Sequence, residues 1–114
     1  MKTAVLGSGS KGNSTYIDLG NKKILIDVGF SYKQIKEKLS LINVDPHEID
    51  ALLITHDHID HTYGLKVFLK EVKPDLFITP EVEKAVLGSS YEKSIYLTDE
   101  NYYYCSLFKT IPTS

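Results

Sequence analysis

The chain has 114 residues, the size of one small domain, with 42% hydrophobic and 25% charged residues. Its net charge is −2, and all 13 of its basic residues are lysines. Bulk charge therefore does not call for nucleic acid or an anionic membrane, and bidentate arginine clamps for phosphate are excluded within this sequence. One cysteine, Cys105, excludes an internal disulfide, and no apolar run is long enough for a signal peptide or a membrane span. We expect a cytoplasmic protein.

The first quarter of the chain predicts a strand, a loop of small residues and a β-hairpin. Residues 3–6 form a short apolar strand, and residues 7–14 are mostly glycine and serine. Residues 16–19 and 24–27 read as two strands, and the Gly-Asn pair between them is a tight-turn signal. The loop at 7–14 has two interpretations: a phosphate cradle of backbone N–H groups, and a flexible turn between strands.

The rest of the chain predicts helices that alternate with strands. Ser31 can cap a helix whose Tyr32, Ile35 and Leu39 fall on one face. Further along, apolar residues and punctuating prolines and glycines predict a turn at 45–46, a strand at 50–55, a helix at 65–72, a strand at 76–79, a helix at 81–87, and strands at 95–97, 102–104 and 107–111. This order of elements indicates an α/β layered domain.

The segment that carries chemistry is the run THDHIDH at residues 55–61, which follows an apolar strand. His56 and His58 are two apart in an extended segment and project to the same side, and His61 can turn its ring back to the same cavity. Imidazoles and a carboxylate suit zinc, and also iron or manganese. Asp60 can bind one metal while the first two histidines bind another, and a hydroxide between two ions is a nucleophile at neutral pH. The run therefore predicts metal-dependent hydrolysis.

The other polar candidates leave alternatives open. Asp57 is either solvated or in contact with a metal or its ligands, whereas His47 is expected to be a surface residue of an exposed turn. Cys105 and the tyrosines at 102–104 fit a packed strand better than a reactive thiol or a base-stacking platform. Asp27 ends an apolar strand, so it is either a cap for the next helix or a hydrogen-bond partner of a metal ligand.

These motifs resemble those of a known family. Residues 55–61, with Gly64-Leu65 after them, resemble the signature of the metallo-β-lactamase superfamily, and residues 24–29 resemble its first motif. Residues 7–14 resemble the start of the YycJ-like branch (also called WalJ or VicX), bacterial cytoplasmic proteins regarded as DNA exonucleases. The resemblance runs over essentially the whole chain. It implies an αββα sandwich that binds two divalent metal ions, usually zinc, with manganese or iron as alternatives.

The resemblance also implies a role for each site residue. His56 and His58 would bind the first metal, and Asp60 and His61 would bind the second. Asp60 would also orient the attacking hydroxide and so act in catalysis, and Asp27 would support the ligand loops from behind. The function that follows is a metal-dependent DNA exonuclease or phosphodiesterase. Two alternatives are a thioester or lactone hydrolase on the same fold, and a non-catalytic half-domain that binds a partner chain.

The family's full ligand set extends beyond these residues. It includes a third histidine for the first metal, a bridging aspartate and a final histidine, whereas this sequence has no histidine after His61. We therefore expect residues 1–114 to be the N-terminal half of the domain, inactive alone, with an uncovered sheet face that favours self-association. The apolar side chains expected to be exposed on that face are Ile24, Ile26, Leu52 and Ile54.

Overall fold

The computed structural model describes residues 2–97, and one mixed sheet organises this part of the chain. The strands, which lie in the sheet in chain order, are Lys2–Gly7 (β1), Ser14–Asp18 (β2), Lys23–Ile26 (β3), Ala51–Leu53 (β4), Asp75–Ile78 (β5) and Ser94–Tyr96 (β6). Strands β1 to β3 pair antiparallel, and β3 to β6 pair parallel. The helices are Tyr32–Ser40 (α1), Ile59–Thr62 (α2), Leu65–Glu71 (α3) and Pro80–Leu87 (α4), with a 3₁₀ turn at Pro46–Glu48. The α/β class predicted from the sequence is confirmed.

The local signals in the sequence account for most element boundaries. Strands β2 and β3 form the predicted hairpin, and the Asp18 carboxylate accepts a hydrogen bond from Gly20 N (2.8 Å) in its turn. Helix α1 begins at Ser31, whose hydroxyl accepts from Gln34 N, while the Gln34 side chain accepts from Ser31 N. Helix α4 ends at Gly88 in the left-handed region (φ 71°), as its glycine predicted.

Both faces of the sheet are apolar, and the prediction that Ile24 and Leu52 lie on the same face is wrong. Ile24 pairs with Ala51 and Leu25 pairs with Leu52, so Ile24 and Leu52 point to opposite faces. Leu25 and Leu52 pack with helices α1 and α3, while Ile24 and Ala51 belong to a second cluster on the other face.

The four side chains that were expected to be exposed on one uncovered face are not exposed. Ile24, Leu52 and Ile54 are 2%, 0% and 2% exposed, and Ile26 is partly buried. The sequence pattern failed here because alternation along each strand does not fix which residues of two strands pair. Self-association stays a prediction, but these four side chains do not form the exposed surface that was expected to drive it.

Part of the predicted C-terminal region lies outside the described residues. This applies to the strands expected at 102–104 and 107–111 and to Cys105. Among residues 2–97, every helix is too short or too polar to cross a bilayer.

A buried carboxylate that the sequence did not reveal ties α4 to the edge of the sheet. Glu83 is 4% exposed and accepts hydrogen bonds from Tyr91 N (3.2 Å), the Tyr96 hydroxyl (2.7 Å) and the Ser94 hydroxyl. Burial acts to raise the pKa of Glu83, but the three hydrogen bonds outweigh burial and lower that pKa. The ionised form of Glu83 therefore stabilises the fold.

We expect Glu83→Gln to lower the free energy of unfolding by about 1–3 kcal/mol near neutral pH, because one of the two accepting oxygens becomes an amide nitrogen that cannot accept its hydrogen bonds. The folded pKa lies below the usual 4.5, so the stabilisation is complete above that pH and is lost as pH falls through the lower folded value. The gap between wild type and variant should therefore narrow in acid. Urea unfolding across the acid range measures this gap, with the exposed Glu81→Gln as control. A gap that does not change with pH would contradict the assignment.

Candidate metal centre

The histidine loop, residues 55–61, follows the carboxyl end of β4, which lies beside the end of its parallel neighbour β3. Parallel strands end at the same edge of a sheet, so Asp27 after β3 and Thr55 after β4 come together. Asp27 N donates to Leu53 O (2.8 Å), which continues the ladder for one more residue. The loop then passes through His56 to His58 and enters the single turn of α2.

Asp27 is the central acceptor of the site. Its side chain is almost fully buried, and one oxygen, Oδ1, accepts from Thr55 N at 2.8 Å. The other oxygen, Oδ2, accepts from the Thr55 hydroxyl at 2.6 Å and from His61 Nδ1 at 2.7 Å. Its backbone lies in the left-handed region (φ 64°), which aspartate adopts more readily than most residues. Of the two interpretations of Asp27, the helix cap is wrong, because Ser31 caps α1.

The hydrogen bonds around Asp27 fix the tautomers of two histidines. An ionised carboxylate only accepts, so the single hydroxyl proton of Thr55 goes to Asp27. His56 Nδ1, which lies 2.8 Å from the Thr55 oxygen, must then be the donor of that pair. His61 Nδ1 is likewise the donor to Asp27. In the neutral imidazoles, both Nε2 atoms are therefore left with a lone pair, the form that binds a metal.

The structure brings the His56 and His61 imidazoles together but leaves His58 and Asp60 outside the group of close candidate ligand atoms, so the four-residue ligand set stays a prediction. The ring centroids of His56 and His61 are 4.5 Å apart, and those of His56 and His58 are 6.0 Å apart in a stacked arrangement. Candidate ligand atoms of Asp27, His56 and His61 all lie within 4.8 Å of one another. The His58 side chain is 74% exposed, and Asp57 Oδ1 lies 3.7 Å from its Nε2, beyond hydrogen-bond distance.

Asp60 lies in the first turn of α2, on the side of His61. Its Oδ2 is 3.8 Å from His61 Nε2 and 3.1 Å from Asn13 Nδ2, which donates to it. Neither Asn13 nor Thr55 was singled out from the sequence, although both lie inside motifs that were. His47 lies elsewhere, in the exposed turn predicted for it, where Nδ1 is 3.0 Å from Asp45 Oδ1.

The loop of small residues, which β1 and β2 bound at 8–13, turns through exposed residues 8–11 and packs against the site through Gly12 and Asn13. Asn13 N donates to Asp60 O (2.7 Å), and Asn13 O accepts from Gly29 N (2.9 Å). A Cβ on Gly12 would lie 2.6 Å from the Phe30 ring, so the absent side chain allows the loop to pack on that ring. The loop does join two strands, as one interpretation had it, with its last two residues held against the site, and phosphate binding by this loop stays a prediction.

The fold and the loop together define the class of protein. The family model of the metallo-beta-lactamase superfamily matches residues 7–99, so the chain belongs to that superfamily. This membership implies divalent metal ions. A solved B3 metallo-beta-lactamase with an active-site glutamic acid superposes with a TM-score of 0.72 at 16% identity, covering 85% of this chain and 43% of that one. At this identity the likeness shows the fold alone.

Curated relatives narrow the comparison. Exodeoxyribonuclease WalJ of Streptococcus pneumoniae is 41% identical over 90 residues, which are 79% of this chain and 34% of that protein. Exodeoxyribonuclease YycJ of Bacillus anthracis is 35% identical over 68 residues, which are 60% of this chain and 26% of that protein. The chain thus spans between about a quarter and about a third of the length of these two relatives, and it falls in the WalJ and YycJ branch of the superfamily.

Gly29→Ala should destabilise the fold sharply, because the new Cβ would lie 1.9 Å from Asp60 O. That oxygen is part of the backbone of α2 and cannot move aside without shifting the site. We expect a loss of about 1–3 kcal/mol or more in the free energy of unfolding, as for other overpacked positions. Thermal and urea unfolding measure it, with Lys36→Ala on the exposed face of α1 as control. Equal stability of the two variants would refute the close approach of α2.

Proposed function

We propose that the chain supplies the first part of a two-metal DNA exonuclease centre in which His56, His58, Asp60 and His61 hold the ions. Zinc is the ion we propose, with manganese and iron as alternatives. The observation that carries the proposal is the pair His56 and His61, whose Nδ1 atoms are engaged through Thr55 and Asp27 so that both Nε2 lone pairs are available. The WalJ and YycJ relatives, both exodeoxyribonucleases, support DNA as the substrate.

The donor set fits such ions. Neutral imidazole nitrogens and a carboxylate are the ligands that zinc accepts in catalytic sites. Asp27 lies within reach of the same space, but both of its oxygens already accept hydrogen bonds from the loop. We therefore assign Asp27 to orienting His61 and, through Thr55, His56, and not to binding the ion itself. Outer partners of this kind fix ring orientation and raise the basicity of the ligand.

The proposed ligands would then each contribute to the reaction. Bound divalent ions would polarise the phosphodiester and lower the pKa of a water molecule. Asp60 would hold the second ion with His61 and would orient the attacking oxygen by accepting a hydrogen bond from it. Residues 1–114 contain no arginine, so any phosphate contact that this part makes outside the metals would come from lysines and other polar groups, not from bidentate guanidinium clamps.

The extent of the chain bears on this proposal. By resemblance to the family, the remaining ligands follow further along the sequence, and we propose that residues 1–114 form the N-terminal part of the αββα domain. The coverage of WalJ, 34% of its length, supports this assignment. A cytoplasmic location is part of the same proposal and is supported by the composition.

Zinc binding by residues 1–114 alone should be weak and incomplete, because four candidate ligands must serve a centre that needs more. Equilibrium dialysis measures the stoichiometry and affinity. His58→Ala should remove most of the binding that exists, whereas His47→Ala, which changes a histidine of the exposed turn, should leave it unchanged. Two zinc ions retained at submicromolar free metal would show that the chain holds a complete centre and would contradict the partial-domain assignment.

Activity should depend on the rest of the domain. A duplex with a label at either end is incubated with divalent metal and with this chain, or with a version extended through the downstream half. We expect nucleotide release by the extended version only, and a fall on the order of 10²-fold or more for its Asp60→Ala variant. His47→Ala is the matched control. Asp60-dependent turnover by the short chain would refute the dependence on the downstream half, and an extended chain inactive on DNA would favour another substrate, such as a thioester or lactone.

A further inference from the structure

The carboxylate of Asp60 has a dedicated partner in the small-residue loop. We infer that Asn13 is a positioning residue that holds this carboxylate on the side of His61, an inference that rests on the proposed metal centre. Asn13 and Asp60 are 47 positions apart in sequence and meet only because the loop folds onto α2. The inference gives the loop at 8–13 a function that neither a phosphate cradle nor a simple turn describes.

The orientation of the Asn13 amide follows from its neighbours. Gly9 N lies 3.0 Å from Asn13 Oδ1, and a backbone N–H can only donate, so that atom must be the oxygen. The amide nitrogen then faces three acceptors: Gly9 O at 2.8 Å, Asp60 O at 3.1 Å and Asp60 Oδ2 at 3.1 Å. The amide has two hydrogens for these three acceptors. One can point to Gly9 O, and the other can be shared between the backbone carbonyl and the Oδ2 atom of Asp60.

The backbone of Asn13 is anchored independently of its side chain. Its N–H donates to Asp60 O at 2.7 Å, and its carbonyl accepts from Gly29 N at 2.9 Å. A Cβ on Gly29 would lie 2.5 Å from Asn13 N, so only glycine permits this approach. The side chain of Asn13 therefore extends from a fixed point, which is what a group that sets the geometry of another requires.

Asp60 needs such a partner because its own element is short. Helix α2 is one turn of four residues, and the Asp60 side chain is 28% exposed. Within residues 2–97, Asn13 supplies the side-chain hydrogen bond to this carboxylate, since His61 Nε2 at 3.8 Å is beyond hydrogen-bond distance. Without the amide, the carboxylate is free to rotate toward solvent, and binding an ion would have to restrict that rotation.

The test is a double-mutant cycle on the zinc affinity of the version extended through the downstream half, measured by competition with a chromophoric chelator. Asn13→Ala should weaken zinc binding about 10–100-fold, the usual effect of removing the partner of a metal ligand. In the Asp60→Ala background the same change should have no further effect, because the group through which Asn13 acts is gone. Asn21→Ala, in the exposed turn of the β2–β3 hairpin, is the matched control and should bind zinc as wild type does.

Two measurements separate positioning from a general loss of structure. Unfolding temperatures of all variants show how far Asn13→Ala acts on stability, and a loss of affinity that is equal in both backgrounds would overturn the inference. In the metal-free chain, proton exchange of the Asn13 side-chain amide should be slower than that of Asn21, and equal rates would also overturn it. Normal zinc binding by the extended Asn13→Ala variant refutes the positioning role and leaves the metal centre standing, whereas no zinc binding by the extended wild type refutes the proposed metal centre and the inference with it.

Discussion

The buried carboxylate of Asp27 is the constraint on which the geometry of the site depends. A carboxylate at 5% exposure must be supplied with donors, and three of them come from the histidine loop: Thr55 N, the Thr55 hydroxyl and His61 Nδ1. Because these donors belong to both ends of the loop, satisfying one buried charge closes the loop into a single conformation. The same bonds select the histidine tautomers, so the fold and the chemistry are set together.

A second constraint keeps α2 close to the end of β3. Val28 N donates to His61 O and Gly64 N donates to Val28 O, both at 2.9 Å, so the backbone of Val28, just beyond β3, holds the C-terminal side of the short helix. This approach requires glycine at two positions, since a Cβ on Gly29 or Gly64 would lie about 2 Å from a backbone oxygen. The glycines of the motifs therefore act by allowing the backbones to meet, which places Asp60 and His61 beside Asp27.

Local patterns in the sequence predicted the elements well and their relations less well. The hairpin, the Ser31 cap and the Gly88 stop are short-range features whose energetics lie within a few residues, so the sequence alone specifies them. The face on which Ile24 and Leu52 lie was assigned wrongly, because strand register is decided by pairing between segments 27 residues apart. The buried acceptor Glu83 was missed because its hydrogen-bond donors lie outside its own helix, and the sequence pattern of α4 does not show them.

The sequence by itself determined the class of chemistry: the spacing of His56, His58 and His61 places three imidazoles on one loop whatever surrounds them. It also placed Asp27 at a strand end, but its residues alone left two roles open, a helix cap and a hydrogen-bond partner of a metal ligand. Only the tertiary structure decided between them, because the parallel pairing of β3 and β4 brings Thr55 to that carboxylate. The contact of Asn13 with Asp60 was likewise decided by packing, since no local rule relates a loop residue to a helix 47 positions later.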